Sequence, residues 1–90
     1  DCSGFAQHVY AQFGIGLPRT SAAQSQYGMK IPVSEAAPGD LIFYAKNGQV
    51  YHVVIYIGNG RTVEAASTRS GICSHGVNYA NAVWATRLLS

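Results

Sequence analysis

The sequence predicts an α+β domain in which helices near the start of the chain pack on a small antiparallel sheet, and three observations carry that prediction. Apolar residues recur at a helical period only near the beginning of the chain, at Phe5, Ala6, Val9, Tyr10 and Phe13. From Ile31 onward the texture changes to short runs rich in β-branched and aromatic residues. Turn signals, Pro38-Gly39, Asn47-Gly48 and Gly58-Asn59-Gly60, separate those runs. The 90 residues suffice for one hydrophobic core, so 1–90 is read as a single domain. A composition 48% hydrophobic and 11% charged excludes a disordered chain. The apolar run Val53–Ile57 is far shorter than the ~20 residues that cross a bilayer, so no membrane span is expected in this segment.

In chain order, the first helix is expected over residues 3–13, ended by Gly14 and Gly16. Leu17-Pro18-Arg19 cannot easily continue it, because proline restrains its predecessor and has no amide proton. A short second helix is expected to start at Thr20 or Ser21, either of which can cap it, and to run to Gly28. Strands are expected over 40–44, 51–57, 62–66, 71–75 and 85–88.

Charge narrows the possible partners. Six Lys and Arg against four Asp and Glu leave +2, and the cations (Arg19, Lys30, Lys46, Arg61, Arg69 and Arg87) are scattered instead of forming a stripe. No nucleic acid is therefore expected as a partner, while a slight positive charge favours approach to an anionic polymer. Two cysteines, Cys2 and Cys73, are too few for a disulfide-stapled scaffold, although a bridge between them is one reading. There is no Cys-x-x-Cys or His-x-x-x-His pair, so neither a metal nor another cofactor is expected. The chain opens on Asp1-Cys2 and not on the basic and apolar run of a signal peptide, so we read it as a fragment whose export signal, if any, lies upstream.

Cys2 stands at the expected start of the first helix, where free amides and the helix dipole stabilise a thiolate. Gly4 leaves room beside the sulfur, and the Cys2 amide can face a developing oxyanion. The competing reading is a small buried hydrophobe. His52 sits on the strand whose alternation puts His52, Val54 and Tyr56 on one face and Val53, Ile55 and Ile57 on the other. It is either a base toward a neighbouring thiol or a hydrogen-bonded core residue. Glu64 lies in the apolar run Thr62–Ala66, where an unpartnered carboxylate is costly to bury; it either has a partner or lies at an exposed strand edge.

Turn length decides whether Glu64 can serve His52. A two-residue Asn59-Gly60 loop pairs Gly58 with Arg61 and turns Glu64 toward Ile55, away from His52. A three-residue Gly58-Asn59-Gly60 turn pairs Ile57 with Arg61 and Val54 with Glu64, making His52 a diagonal neighbour within ~8 Å. We expect the three-residue turn, with Gly60 in the left-handed position of a bulge. Cys73 is read as a small packed side chain, His75 as a surface residue and His8 as a solvent-facing residue of the first helix.

The order and spacing of Asp1-Cys2-Ser3-Gly4-Phe5, Leu17-Pro18-Arg19, Pro38-Gly39-Asp40-Leu41-Ile42-Phe43 and His52-Val53-Val54-Ile55-Tyr56-Ile57-Gly58-Asn59-Gly60 resemble the NlpC family of bacterial cell-wall peptidases. The motifs run across nearly the whole chain and are specific jointly. The resemblance implies a papain-like core, a partial barrel with the N-terminal side of the domain missing, because relatives carry helices and a tyrosine-containing segment before the cysteine. By position, Cys2 matches the nucleophile, His52 the base and Glu64 the group that orients the imidazole. Many relatives carry histidine at that third place, and some mycobacterial-type endopeptidases carry glutamate.

The family's usual substrate is the peptidoglycan stem peptide, cut after γ-linked D-glutamate and before meso-diaminopimelate or lysine through a thioester. The resemblance points to Asp1, Ser3, Arg19 and Ser21 as substrate-binding residues. Arg19 or helix-start hydroxyls suit the free α-carboxylate of D-glutamate, and Asp1 suits a charged amine. Ser21 is otherwise a helix cap and Arg19 a solvated loop cation. The expected setting is extracellular, at the cell wall, as a monomeric unit of a parent protein with further targeting modules. Two other readings stay open: a non-catalytic domain that holds wall peptides, and an amidase or acyltransferase on the same fold.

Overall fold

The computed structural model describes residues 2–67 and 71–89. Two helices, α1 (Cys2–Ala11) and the single turn α2 (Ser21–Gln24), precede a six-stranded sheet. Its strands are β1 (Met29–Ile31), β2 (Leu41–Lys46), β3 (Gln49–Gly58), β4 (Arg61–Ser67), β5 (Gly71–Gly76) and β6 (Ala82–Arg87). They lie in the order β1-β6-β2-β3-β4-β5, and every neighbouring pair is antiparallel. A 3-10 turn covers Val33–Glu35. This is the α+β architecture that the periodicities predict.

Both helices are shorter than expected. Helix α1 closes as Gly14, at φ 77°, lets its own amide reach Ala11 O and the Ile15 amide reach Tyr10 O, each at 3.0 Å. That is a glycine-terminated helix end, and it leaves Phe13 62% exposed, off the buried stripe assigned to it. Thr20, not Ser21, caps α2, its hydroxyl accepting from the Ala23 amide at 3.2 Å. Gly28 does not end α2. It allows a close approach: at φ 88°, a Cβ there would lie 3.0 Å from the Arg87 carbonyl oxygen. Strand β1 was not expected, because three residues are too few for alternation to be visible; it exists by pairing with β6, which itself starts three residues before the expected 85.

The central strands of the sheet are buried on both faces. On the helix face, Leu41, Phe43, Val53 and Ile55 pack with Ala6, Tyr10 and Leu17. On the other, Ile42, Tyr44, Val54 and Ala85 form a second cluster, joined by Tyr56 and Val77. Buried Asp40 ties β2 to β6, accepting from Arg87 Nε at 3.2 Å and Nη2 at 2.8 Å and from the Ala37 amide at 2.8 Å.

Strand β3 carries one extra residue near each end. The Gly58 turn is the two-residue form, not the expected three-residue one: Gly58 pairs with Arg61, while Asn59 and Gly60 take φ 54° and 73°. Ile57 then bulges out, and pairing resumes with Tyr56↔Thr62 and Ile55↔Val63. The bulge restores the register that the longer turn would have set, so Glu64, two residues on from Thr62, falls on the face of Tyr56. At the other hairpin, Asn47 and Gly48 at φ 53° and 78° join Lys46 to Gln49. Tyr51 is the extra residue there, so that Tyr44 pairs with His52.

Replacing Gly60 by Ala forces a Cβ into left-handed backbone and is expected to lower stability by about 1 kcal/mol. Urea unfolding of the two proteins measures it, and an unchanged midpoint would contradict the turn conformation.

Candidate active site

In an antiparallel ladder, successive residues send their amide groups alternately to one neighbour strand and the other. The Tyr56 amide donates toward β2, to Asp40 O at 2.9 Å, so the amides of Ile55 and Val53 point toward β4. Among the described residues the β3–β4 ladder ends at Ile55 and Val63. The Val53 amide therefore needs another acceptor, and the start of α1, which packs on both β3 and β4, brings it the Cys2 sulfur. The Ser3 amide, at the open end of the helix, donates to the same sulfur.

Burial pushes the Cys2 thiol up, but hydrogen bonding to His52, the Val53 amide, the His52 charge and the Ser3 amide together outweigh it, and the thiol lies below its ordinary value. The reciprocal holds for His52: the bond to Cys2 raises it, burial lowers it, and the Cys2 charge and Glu64 raise it further, leaving it above the usual imidazole value. His52 Nε2 lies 2.7 Å from Glu64 Oε2. A carboxylate can only accept, so Nε2 carries the proton and Nδ1 is the nitrogen left for the thiol. The three side chains expected to act together, Cys2, His52 and Glu64, thus form one connected set.

His52 lies across from Tyr44 and so on the sheet face turned away from the helices. Two rings flank it: Tyr44 with centroids 5.8 Å apart and Tyr51 at 6.3 Å. The sequence reading missed both, because only the bulge brings Tyr51 to the histidine's side.

Of the four residues expected to hold substrate, Ser3 and Arg19 meet: Arg19 Nη1 donates to Ser3 Oγ at 2.9 Å. Ser21 is the first residue of α2, partly exposed. Asp1 lies outside the described residues. The link between these segments is Gln24, fully buried and absent from the sequence reading, whose Nε2 donates to Ser3 O at 3.0 Å and Pro18 O at 2.8 Å. Its position three residues after Ser21 carried no signal beyond an ordinary helix polar residue. Cys2 and Cys73 are unbridged, and His8 and His75 are exposed. Among the described residues no three His, Cys, Asp or Glu side chains converge to hold a metal ion, and no helix is long and apolar enough to cross a membrane.

Helices packed on one antiparallel sheet, with a cysteine at the first helix start beside a strand-borne histidine, make this a small α+β domain. The chain belongs to the NlpC/P60 family, whose sequence pattern it matches over residues 1–90. It is 47% identical over 81 residues to the probable endopeptidase p60 of Listeria seeligeri, covering 90% of this chain and 14% of that protein. It is 49% identical over 65 residues to the peptidoglycan endopeptidase RipA of Mycobacterium tuberculosis, covering 72% of this chain and 14% of that one. The solved structure of the peptidoglycan hydrolase RipB of Mycobacterium tuberculosis superposes with a TM-score of 0.89 at 36% identity, covering 100% of this chain and 45% of that one. The chain therefore spans about a seventh of the length of p60 and RipA.

The lowered thiol and the raised imidazole both favour the thiolate–imidazolium pair over the neutral one. Alkylation of Cys2 by iodoacetamide should therefore rise with pH through a midpoint below that of an ordinary thiol, and His52→Ala should move the midpoint up. Peptide mass spectrometry distinguishes Cys2 from Cys73; equal midpoints in the two proteins would mean that His52 does not hold the thiolate.

Proposed function

We propose that this chain is the catalytic domain of a secreted peptidoglycan hydrolase, a D,L-endopeptidase that cuts stem peptides after γ-linked D-glutamate by way of a cysteine thioester. The observation that carries the reading is the 2.7 Å contact between His52 Nε2 and Glu64 Oε2, with the Cys2 thiol bonded to the same imidazole. Similarity to proteins named peptidoglycan endopeptidase and peptidoglycan hydrolase supports the substrate class.

In this reading the Cys2 thiolate attacks the carbonyl carbon of the isopeptide bond, and the oxyanion forms against the Cys2 amide at the helix start. The imidazolium of His52 gives its proton to the departing amine, and the carbon–nitrogen bond breaks to leave a thioester. Water, losing a proton to the now neutral His52, attacks the thioester and releases the acid and the Cys2 thiolate, which restores the starting ion pair. Glu64 keeps the ring in the tautomer that this exchange needs and stabilises the charged form. Arg19 and Ser3, already hydrogen-bonded to one another, and Ser21 at the start of α2 receive the α-carboxylate of D-glutamate, whose side chain forms the scissile amide. Asp1 takes a cationic group of the peptide. Such a substrate sets the workplace at the cell wall.

Incubating the full-length protein with purified stem peptides and weighing the products tests the reading. Cys2→Ala and His52→Ala should each reduce turnover by at least about a thousandfold without unfolding the domain, and Glu64→Gln by less, on the order of ten- to a hundredfold. Since the carboxylate raises His52, Glu64→Gln should also move the basic limb of the pH–rate profile to lower pH. Uncut peptide recovered bound to the wild-type protein would instead identify a binding domain, and a new amide or ester a transferase.

A further inference from the structure

One hydrogen bond fixes one atom of an imidazole, and the ring can still tilt about the axis through it. His52 has that bond, to Glu64 at 2.7 Å, and its Nδ1 must in addition stay aimed at a sulfur delivered by a different element. What limits tilt is contact with the ring planes beside it. Tyr44, directly across in the ladder, lies at 32° to the imidazole, and Tyr51 lies nearly parallel to it, at 17°.

The Tyr51 contact is built by the β3 bulge. In an uninterrupted strand, Tyr51 and His52 would project to opposite faces. Because Tyr51 is the unpaired residue of the bulge, its ring comes alongside its neighbour's. Tyr51 is 48% exposed, a position at which a tyrosine is ordinarily free to change rotamer, yet its hydroxyl is held: Asn81 Nδ2, immediately before β6, donates to it at 2.8 Å. The hydroxyl of Tyr44 is held in parallel fashion by the Asn78 amide at 3.0 Å. The segment between β5 and β6 thus anchors both rings beside the histidine.

We propose that Tyr51, anchored by Asn81, is a positioning residue that fixes the tilt of the His52 ring on its bond to Glu64. The inference rests on the peptidase reading for its kinetic consequence but not for its structural one. The groups facing His52 are Cys2 from α1, Glu64 from β4, Tyr44 from β2 and Tyr51 from β3 itself; of these, Tyr51 lies nearly parallel to the imidazole and offset from it, with centroids 6.3 Å apart.

The test compares Tyr51→Phe, which keeps the face and loses the anchor, with Tyr51→Leu, which keeps bulk and loses the face, in the full-length protein. Tyr51→Leu should lower kcat about two- to fivefold with little change in KM and shift the basic limb of the pH profile downward, while Tyr51→Phe, with the ring but not its anchor, falls between Tyr51→Leu and the wild type in both. In parallel, the His52 titration is followed by NMR in Cys2→Ala protein with and without Tyr51→Leu, and its midpoint should fall with the leucine. Equal losses from Phe and Leu, a change in KM alone, or a His52 midpoint indifferent to Tyr51→Leu would each overturn the proposal. If the wild-type protein cuts no stem peptide, the peptidase reading fails, and the NMR comparison still decides the role of Tyr51.

Discussion

Among the described residues β3 and β4 pair no further than Ile55 and Val63, and the site depends on that separation. Cys2 belongs to the helix layer and packs against the cluster on that side of the sheet, whereas His52 and Glu64 follow the face of Tyr44 and Val54 on the other. A closed sheet would keep these groups apart, because backbone hydrogen bonds between paired strands leave no passage for a side chain. Where the ladder ends, a strand amide is left without its usual acceptor, and leaving it unbonded under a packed helix is expensive. The Cys2 sulfur takes the place of the absent carbonyl at Val53. The hydrogen-bonding need of the backbone and the positioning of the Cys2 sulfur are met by one contact.

That contact also explains why a half-buried thiol becomes acidic. Burial alone works against the thiolate, and the opposing contributions come from fixed dipoles, the Val53 and Ser3 amides, together with the imidazole. Fixed dipoles are set by the fold and need no rearrangement when charge appears. Glu64 acts at the far nitrogen, where its negative charge favours the imidazolium. A carboxylate at this place gives a more strongly cationic ring than a neutral acceptor would, which widens the pH range of the thiolate–imidazolium pair.

Much of this arrangement was legible in the chain, and the illegible parts have identifiable causes. The period-3.6 stripe ending at Gly14 and the alternation around Val53–Ile57 located α1 and β3, since both patterns report burial that local geometry imposes. The Asn-Gly pairs located both hairpins. Turn length and bulge, however, trade against each other: a two-residue turn with an extra Ile57 sets the same β3–β4 register as a three-residue turn without one, so the expected Glu64 face emerged from a turn that was not expected. Nothing in residues 57–61 distinguishes the two. The same degeneracy at the other hairpin hid Tyr51, because strict alternation from Asn47-Gly48 would have put His52 across from Phe43 and left Tyr51 opposite Tyr44. Strand β1 and Gln24 were hidden for a different reason: each is defined by partners far away in the chain.

The two extra residues of β3 are both half exposed, Tyr51 at 48% and Ile57 at 46%, and they do different work. Ile57 contributes by its presence: one residue inserted beside a tight turn carries Glu64 to the face on which His52 lies. Its half-exposed side chain stands outside the connected set of Cys2, His52 and Glu64. Tyr51 is inserted at the end where β3 meets the helix start, and its side chain lies against the imidazole. The same backbone device thus sets register at one end and places a ring at the other. Between them the strand from His52 to Tyr56 stays regular, paired to β2 throughout, which gives the histidine a rigid base from which to face both the carboxylate and the sulfur.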